Sequence, residues 1–115
     1  MGVLDIISRV FGARRYSTPR PTDEEVAAVD VWGMLERARD RGDRRSDNEI
    51  AAALLLGADL TAERHRDPDL RRRAAAASVA TQDWLVARVG EDETARLVAT
   101  SHGPIGEDGT LPRSR

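Results

Sequence analysis

The residues of this chain that could do chemistry are few, and most of them lie in one short segment. Glu63, His65, Asp67 and Asp69 occupy alternate positions. Carboxylates and imidazoles bind metals, but residues two apart on a helix point to different faces, so the spacing argues against one metal site. A hydrolytic site needs a base near its nucleophile, and the chain has only two histidines. We therefore predict that the protein is not an enzyme and has no cofactor or metal site.

Arginines concentrate around the same segment. Arg64 and Arg66 lie just before the joint at Asp67 and Pro68, and Arg71, Arg72 and Arg73 fall near the start of the helix predicted to follow that joint. Positive charge there opposes the helix dipole at a cost of about a few tenths of a kcal/mol for each residue. These cations either pair with the carboxylates interspersed among them or form a patch for an acidic partner or phosphates. We call the five residues the arginine cluster.

A second candidate for binding is the N-terminal segment. Residues 1–12 have apolar residues at helical spacing, among them Val3, Ile7 and Phe11, and predict an amphipathic helix. The segment is too short for a secretory signal and lacks the leading positive charge and the cleavage site. We expect its apolar face to pack on this chain or in a partner's groove. Membrane association through residues 2–15 is a third alternative, disfavoured because interfacial anchors carry more aromatic residues.

Local signals mark the helices that must position these residues. Thr22 with Glu25, and Ser46 with Glu49, each form a capping-box pattern. An Asp-Pro pair precedes the next helix, and glycines mark several of the helix ends. The sequence therefore predicts helices at about 23–41, 47–66, 68–89 and 91–101.

The predicted core centres on the second of these helices. The run from Ile50 to Leu60 is apolar nearly all round and needs neighbours on several sides. Trp32 is predicted to line the apolar face of the preceding helix, and Trp84 that of the following one. Both tryptophans are therefore expected to be buried.

Gly57 leaves the central helix open to two interpretations. It either lies inside one helix running to Arg66, where it permits close packing, or ends a first helix so that Asp59 caps a second. The second arrangement would be a helix-turn-helix.

The segment Glu49 to His65, EIAAALLLGADLTAERH, resembles the helix-turn-helix of response-regulator-type DNA-binding domains. The resemblance implies a DNA-binding regulator that uses residues 47–66. Its recognition helix would present Thr61, Arg64 and His65 to the bases, with the following arginines on phosphates.

Composition sets the class of protein. The chain has 115 residues, a formal charge of -2 and no cysteine. We predict an all-α protein: a small bundle of about four helices over 22–101, with the N-terminal helix on a linker at 13–21 and a flexible tail at 102–115. The absence of cysteine favours a cytoplasmic location.

The function expected from this organisation is non-enzymatic protein-protein interaction. The chain would be a small regulatory adaptor, or an assembly component of a phage-like particle or mobile element, acting through its terminal arms and the arginine cluster. The expected partner is a protein of unspecified identity, and a homo-oligomer remains open. A nucleic-acid partner is less favoured because the net charge is negative.

Overall fold

The computed structural model of the chain describes residues 20–104. Within this range there are five helices and no strand: α1 (Asp23–Ala27), α2 (Val31–Asp40), α3 (Asp47–Arg64), α4 (Pro68–Val89) and α5 (Glu91–Thr100). The all-α prediction is confirmed, and the last three predicted helices end within two residues of the observed ends. The predicted N-terminal helix with Val3, Ile7 and Phe11, and the tail beyond residue 104, lie outside the described residues.

The prediction of a single helix over 23–41 is wrong, because the structure divides it into α1 and α2. Asp30 Oδ1 accepts a hydrogen bond from the backbone N–H of Gly33 at 3.0 Å, so Asp30 is the N-cap of α2. A capping aspartate starts a helix more favourably than it continues one, since its carboxylate competes for backbone donors. Gly33 leaves room for that carboxylate, because a Cβ at this position would clash with it.

The central helix α3 is continuous from Asp47 to Arg64. Its first turn has the predicted capping box: Ser46 Oγ accepts from the Glu49 N–H, and Glu49 Oε1 accepts from the Ser46 N–H, both at 3.2 Å. Of the two interpretations left open for Gly57, the structure shows one helix through this residue, and the turn that a helix-turn-helix would need there is not present in α3. Gly57 allows Pro104 to pack closely against α3, because a Cβ at this position would lie 2.9 Å from Pro104 Cγ.

The core lies between α3 and α4, which pack more extensively than any other pair of helices in 20–104. Four alanines of α3 and three of α4 are buried, and small side chains allow two backbones to approach closely. At the end of α4, Gly90 has a φ of +87°, which a side chain would disfavour, and the chain turns there into α5. The larger apolar side chains that complete the core are Leu35, Ile50, Leu55, Leu85 and Val98.

None of the helices in residues 20–104 is long and apolar enough to cross a bilayer.

The interior also contains polar side chains. Asp59 and Glu63 of α3 and Ser78, Thr81 and Gln82 of α4 are all buried. The two helices therefore present polar as well as apolar groups to the interior.

Candidate interaction surfaces

Two tryptophans and an arginine form a partly exposed surface where α2 meets α4. The ring centroids of Trp32 and Trp84 lie 5.3 Å apart at an interplanar angle of 83°, an edge-to-face contact. The Arg88 guanidinium carbon lies 4.5 Å from the Trp84 centroid and 5.8 Å from the Trp32 centroid. Arg88 Nε donates to Asn48 Oδ1 at 3.1 Å, which ties it to the first turn of α3. We call these four residues the tryptophan surface.

Trp32 is 53% exposed and is the only exposed large hydrophobic residue in 20–104. The prediction that it is buried is therefore wrong. That prediction assumed one helix from residue 23, in which Val29 and Trp32 share a face. The break capped by Asp30 puts Trp32 in the first turn of a new helix, so the two residues no longer follow one helical period. Trp84 is half-buried and packs against the core, closer to what its spacing predicted.

Two members of the arginine cluster hold elements of the fold together. Arg71 Nη1 donates to the carbonyl oxygen of His65 at 3.0 Å and to that of the next residue at 3.3 Å, which fixes the joint between α3 and α4. Arg72 Nε lies 3.3 Å from a Glu25 carboxylate oxygen and connects α1 to α4. Arg72 also lies 3.7 Å from Asp69, one turn away on its own helix. These cations therefore pair within the chain.

The other three members, Arg64, Arg66 and Arg73, are exposed. None forms an ion pair with another residue of 20–104. The structure thus divides the predicted cluster into two arginines that have partners within the chain and three exposed arginines without an ion pair in residues 20–104. An anionic group on a partner could reach the latter three.

Two pairs of opposite charges lie in and beside the loop between α2 and α3. Asp43 is 3% exposed, and its carboxylate accepts from Arg45 through Nε at 3.0 Å, Nη2 at 2.7 Å and the backbone N–H at 3.1 Å. The hydrogen bonds from Arg45 hold the pKa of Asp43 below its ordinary value, although burial acts in the opposite direction. Arg39 pairs with Asp47 nearby. Arg44 of the same loop is exposed and forms no ion pair with another residue of 20–104, so its charge remains open to a partner.

A groove follows one face of α3, next to the end of α2. Leu54, Gly57 and Thr61 follow each other at helical spacing along it, and the end of the described chain lies against its middle. We call it the Gly57 groove. Its lining residues are Met34, Arg41, Leu54, Gly57, Ala58, Thr61 and Pro104.

A more polar cleft lies between the start of α3 and α5. Arg45 and Arg96 both line it, and each is bonded to a carboxylate, of Asp43 and Glu93 respectively. His102 also lines the cleft. Because its arginines are already paired, the cleft is a weaker candidate for binding an anion than the three solvent-facing arginines.

No protein-family model, curated protein or solved structure matches this chain. Its function is therefore inferred from its own surfaces. Among residues 20–104 there is no group of three or more side chains that could hold a metal ion. The tryptophan surface, which the sequence did not predict, and the exposed part of the arginine cluster, which it did, are the two surfaces on which a function can be argued.

Proposed function

We propose that this protein is a non-catalytic protein-interaction module that binds its partner through the tryptophan surface. The observation that carries the proposal is the exposure of Trp32 in contact with Trp84 and Arg88. Tryptophan and arginine are among the residue types most enriched where a few side chains supply most of an interface's binding energy. When a partner covers a water-exposed indole, apolar surface is removed from water, and this favours binding.

The contacts within the surface order its side chains before a partner arrives. An edge-to-face aromatic contact contributes about 1 kcal/mol. A guanidinium over an indole adds about 0.5–1 kcal/mol at an exposed site. Asn48 fixes Arg88 from a different helix. Because these side chains are already held, less conformational entropy is lost on binding.

The chemistry of the surface suits a partner with an apolar side chain to cover Trp32. Arg64, Arg66 and Arg73 supply a second region that suits acidic groups on the partner. In this proposal the chain acts as a regulatory adaptor or an assembly component, and its terminal arms add contacts to those made by the body.

Quantitative affinity capture from the source cells, followed by binding measurements with the purified partner, tests the proposal. We expect Trp32→Ala to weaken binding by about 30-fold, the effect of losing an interface residue worth about 2 kcal/mol. Arg88→Ala should also weaken it, whereas Arg44→Ala, an exposed arginine in the α2–α3 loop, should not. Circular dichroism confirms that each variant is folded. Wild-type affinity in folded Trp32→Ala would refute the proposal.

The contribution of the arms is separated by cutting the chain to residues 20–104. Retained binding assigns recognition to the helical body. Binding that is lost on truncation but kept in Trp32→Ala would assign it to the arms instead.

A further inference from the structure

We propose that the tryptophan surface binds a partner segment in which a carboxylate lies next to a bulky apolar side chain. The carboxylate binds the terminal nitrogens of Arg88, and the apolar side chain covers Trp32. This inference rests on the proposed function and deepens it, because it names the chemistry of the partner that covers the same surface. It adds an acidic contact at Arg88, separate from any contact at the exposed part of the arginine cluster.

The guanidinium of Arg88 has N–H groups that no residue of 20–104 accepts. Its Nε–H donates to Asn48 Oδ1 at 3.1 Å. Within the described range, Nη1 and Nη2 form no hydrogen bond and no ion pair. The side chain is exposed, so an acceptor on a partner can reach these two nitrogens.

The charge of Arg88 also has no counterion among residues 20–104. Its acceptor Asn48 is neutral, and the carboxylate of the preceding residue, Asp47, pairs with Arg39. Four other arginines of this range pair with carboxylates. The two indole rings attract the cation of Arg88 through their π faces but do not neutralise it. The surface therefore combines apolar area with one uncompensated positive charge.

A partner that covers Trp32 also removes water from Arg88. The Arg88 guanidinium carbon lies 5.8 Å from the Trp32 ring centroid, so the two groups lie under the same part of a partner. A charged group that loses water without gaining an acceptor costs free energy. A purely apolar partner would incur this cost at Arg88, whereas a carboxylate beside the apolar group offsets it.

A single carboxylate fits the free nitrogens better than a phosphate does. Nη1 and Nη2 present parallel N–H groups, which match the two oxygens of one carboxylate. Exposed carboxylates also flank the surface, because Glu36 lies one turn after Trp32 and Asp83 precedes Trp84. Their repulsion of a doubly charged phosphate is stronger than their repulsion of a singly charged carboxylate. Charge complementarity thus favours one carboxylate at Arg88.

Two small probes test this chemistry. The first, 3-phenylpropanoate, has a phenyl ring joined to a carboxylate by a short alkyl chain. The second, 3-phenylpropanamide, has the same ring and chain but a neutral amide. Each is titrated into the full-length, isotope-labelled protein at pH 7 and constant, near-physiological salt. Binding is followed by NMR through the indole N–H signals of Trp32 and Trp84 and the Nε–H signal of Arg88.

We expect the propanoate to bind at least about fivefold more tightly than the propanamide, because it forms hydrogen bonds to a charged group. It should also shift the signals of Trp32 and Arg88. Equal affinities, or no shift of the Trp32 signal at any soluble concentration of the propanoate, would overturn the inference. A Trp32 signal that shifts with protein concentration alone would assign the surface to a second copy and would also overturn it.

Variants locate the carboxylate. Arg88→Gln should bring the two affinities within about twofold of each other, whereas Arg44→Gln, which removes another exposed arginine, should keep the preference for the propanoate. Asn48→Asp gives Arg88 a carboxylate within the chain and should reduce the preference at least about threefold. This second comparison suffices if Arg88→Gln does not fold. A full preference in either folded variant would place the carboxylate at another cation and contradict the inference.

Failure of this inference can be told apart from failure of the proposed function. If the two probes bind equally while Trp32→Ala weakens binding of the partner, the surface is an interface but its partner does not place a carboxylate on Arg88. If partner binding is unchanged in folded Trp32→Ala, the proposed function itself is refuted.

Discussion

At the scale of single residues, Asp43 is the carboxylate whose ionised form the fold most clearly uses. It is buried and accepts three hydrogen bonds from Arg45, which lower its pKa from the ordinary value of 3.8. A carboxyl group whose pKa is lower in the folded than in the unfolded state adds stability above the unfolded pKa. That stability is lost as the pH falls through the folded pKa. The pair therefore stabilises the protein at neutral pH and loses its effect in acid.

Replacing Asp43 by Asn should lower the free energy of unfolding by about 2 kcal/mol at pH 7, because a partly buried guanidinium loses its counterion. The difference from wild type should shrink at a pH below 3.8. Urea unfolding followed by circular dichroism at pH 7 and pH 3 measures both values. Glu93→Gln, which breaks an exposed pair with Arg96, is the control and should leave the midpoint unchanged. An equal loss at both pH values would contradict this account.

The sequence identified the five arginines of the cluster but not which of them pair within the chain. Which arginines pair depends on neighbours distant in the chain, such as Glu25 of α1 for Arg72. The tryptophan surface was missed altogether. Large apolar residues are assigned to the core by default, and the exposure of Trp32 follows from a helix break that periodicity did not reveal.

At the scale of helices, the signals that predicted correctly are local. The capping box of Ser46 with Glu49 and the cap of Asp67 at the start of α4 use hydrogen bonds between residues two or three apart. Such bonds are the same in any fold, so the starts of α3 and α4 could be predicted. Asp30 makes an equally local bond to Gly33. The apolar spacing continues on both sides of Asp30 and favoured a single helix, so the cap at Asp30 was not predicted.

The buried face of α4 was predicted only in part. Helical spacing predicts that Ala74, Ala77, Thr81 and Leu85 share the buried face with Trp84. Thr81 and Leu85 are buried, whereas Ala74 and Ala77 are half-buried, and Gln82, which this spacing leaves out, is fully buried. Alanines occupy several sides of this helix, so its hydrophobicity varies little with direction and gives a weak indication of which side faces the core. Packing against α3 sets the rotation instead.

Removal of the Asp30 cap tests the origin of the break between α1 and α2. We expect Asp30→Ala to reduce the free energy of unfolding by about 1 kcal/mol. It should also accelerate hydrogen exchange at the Gly33 amide, which loses its acceptor. Asp40→Ala, at the other end of α2, is the control, since the carboxylate it removes does not cap the helix. Unchanged exchange at Gly33 would show that packing, rather than the cap, holds the break.

At the scale of the whole molecule, α3 is one continuous helix and does not contain a separate recognition helix. Binding to DNA would therefore depend on the exposed arginines. Three arginines of the cluster face solvent without an ion pair in 20–104, and the chain carries a net charge of -2. Three phosphate contacts give a slope of log K against log salt of about -3. We therefore expect weak binding to a labelled mixed-sequence duplex at low salt and none near physiological salt, as measured by fluorescence anisotropy. Tight binding with a steeper slope would require more basic groups than these three.

The tryptophan surface has a spectroscopic consequence. The chain contains two tryptophans, and both belong to this surface. Indole emission therefore reports on one patch of the molecule. A partner that covers Trp32 should shift this emission to shorter wavelength by removing water from the ring. Ligands that bind only at the solvent-facing arginines should leave it unchanged, so the unlabelled protein carries a reporter that distinguishes its two candidate surfaces.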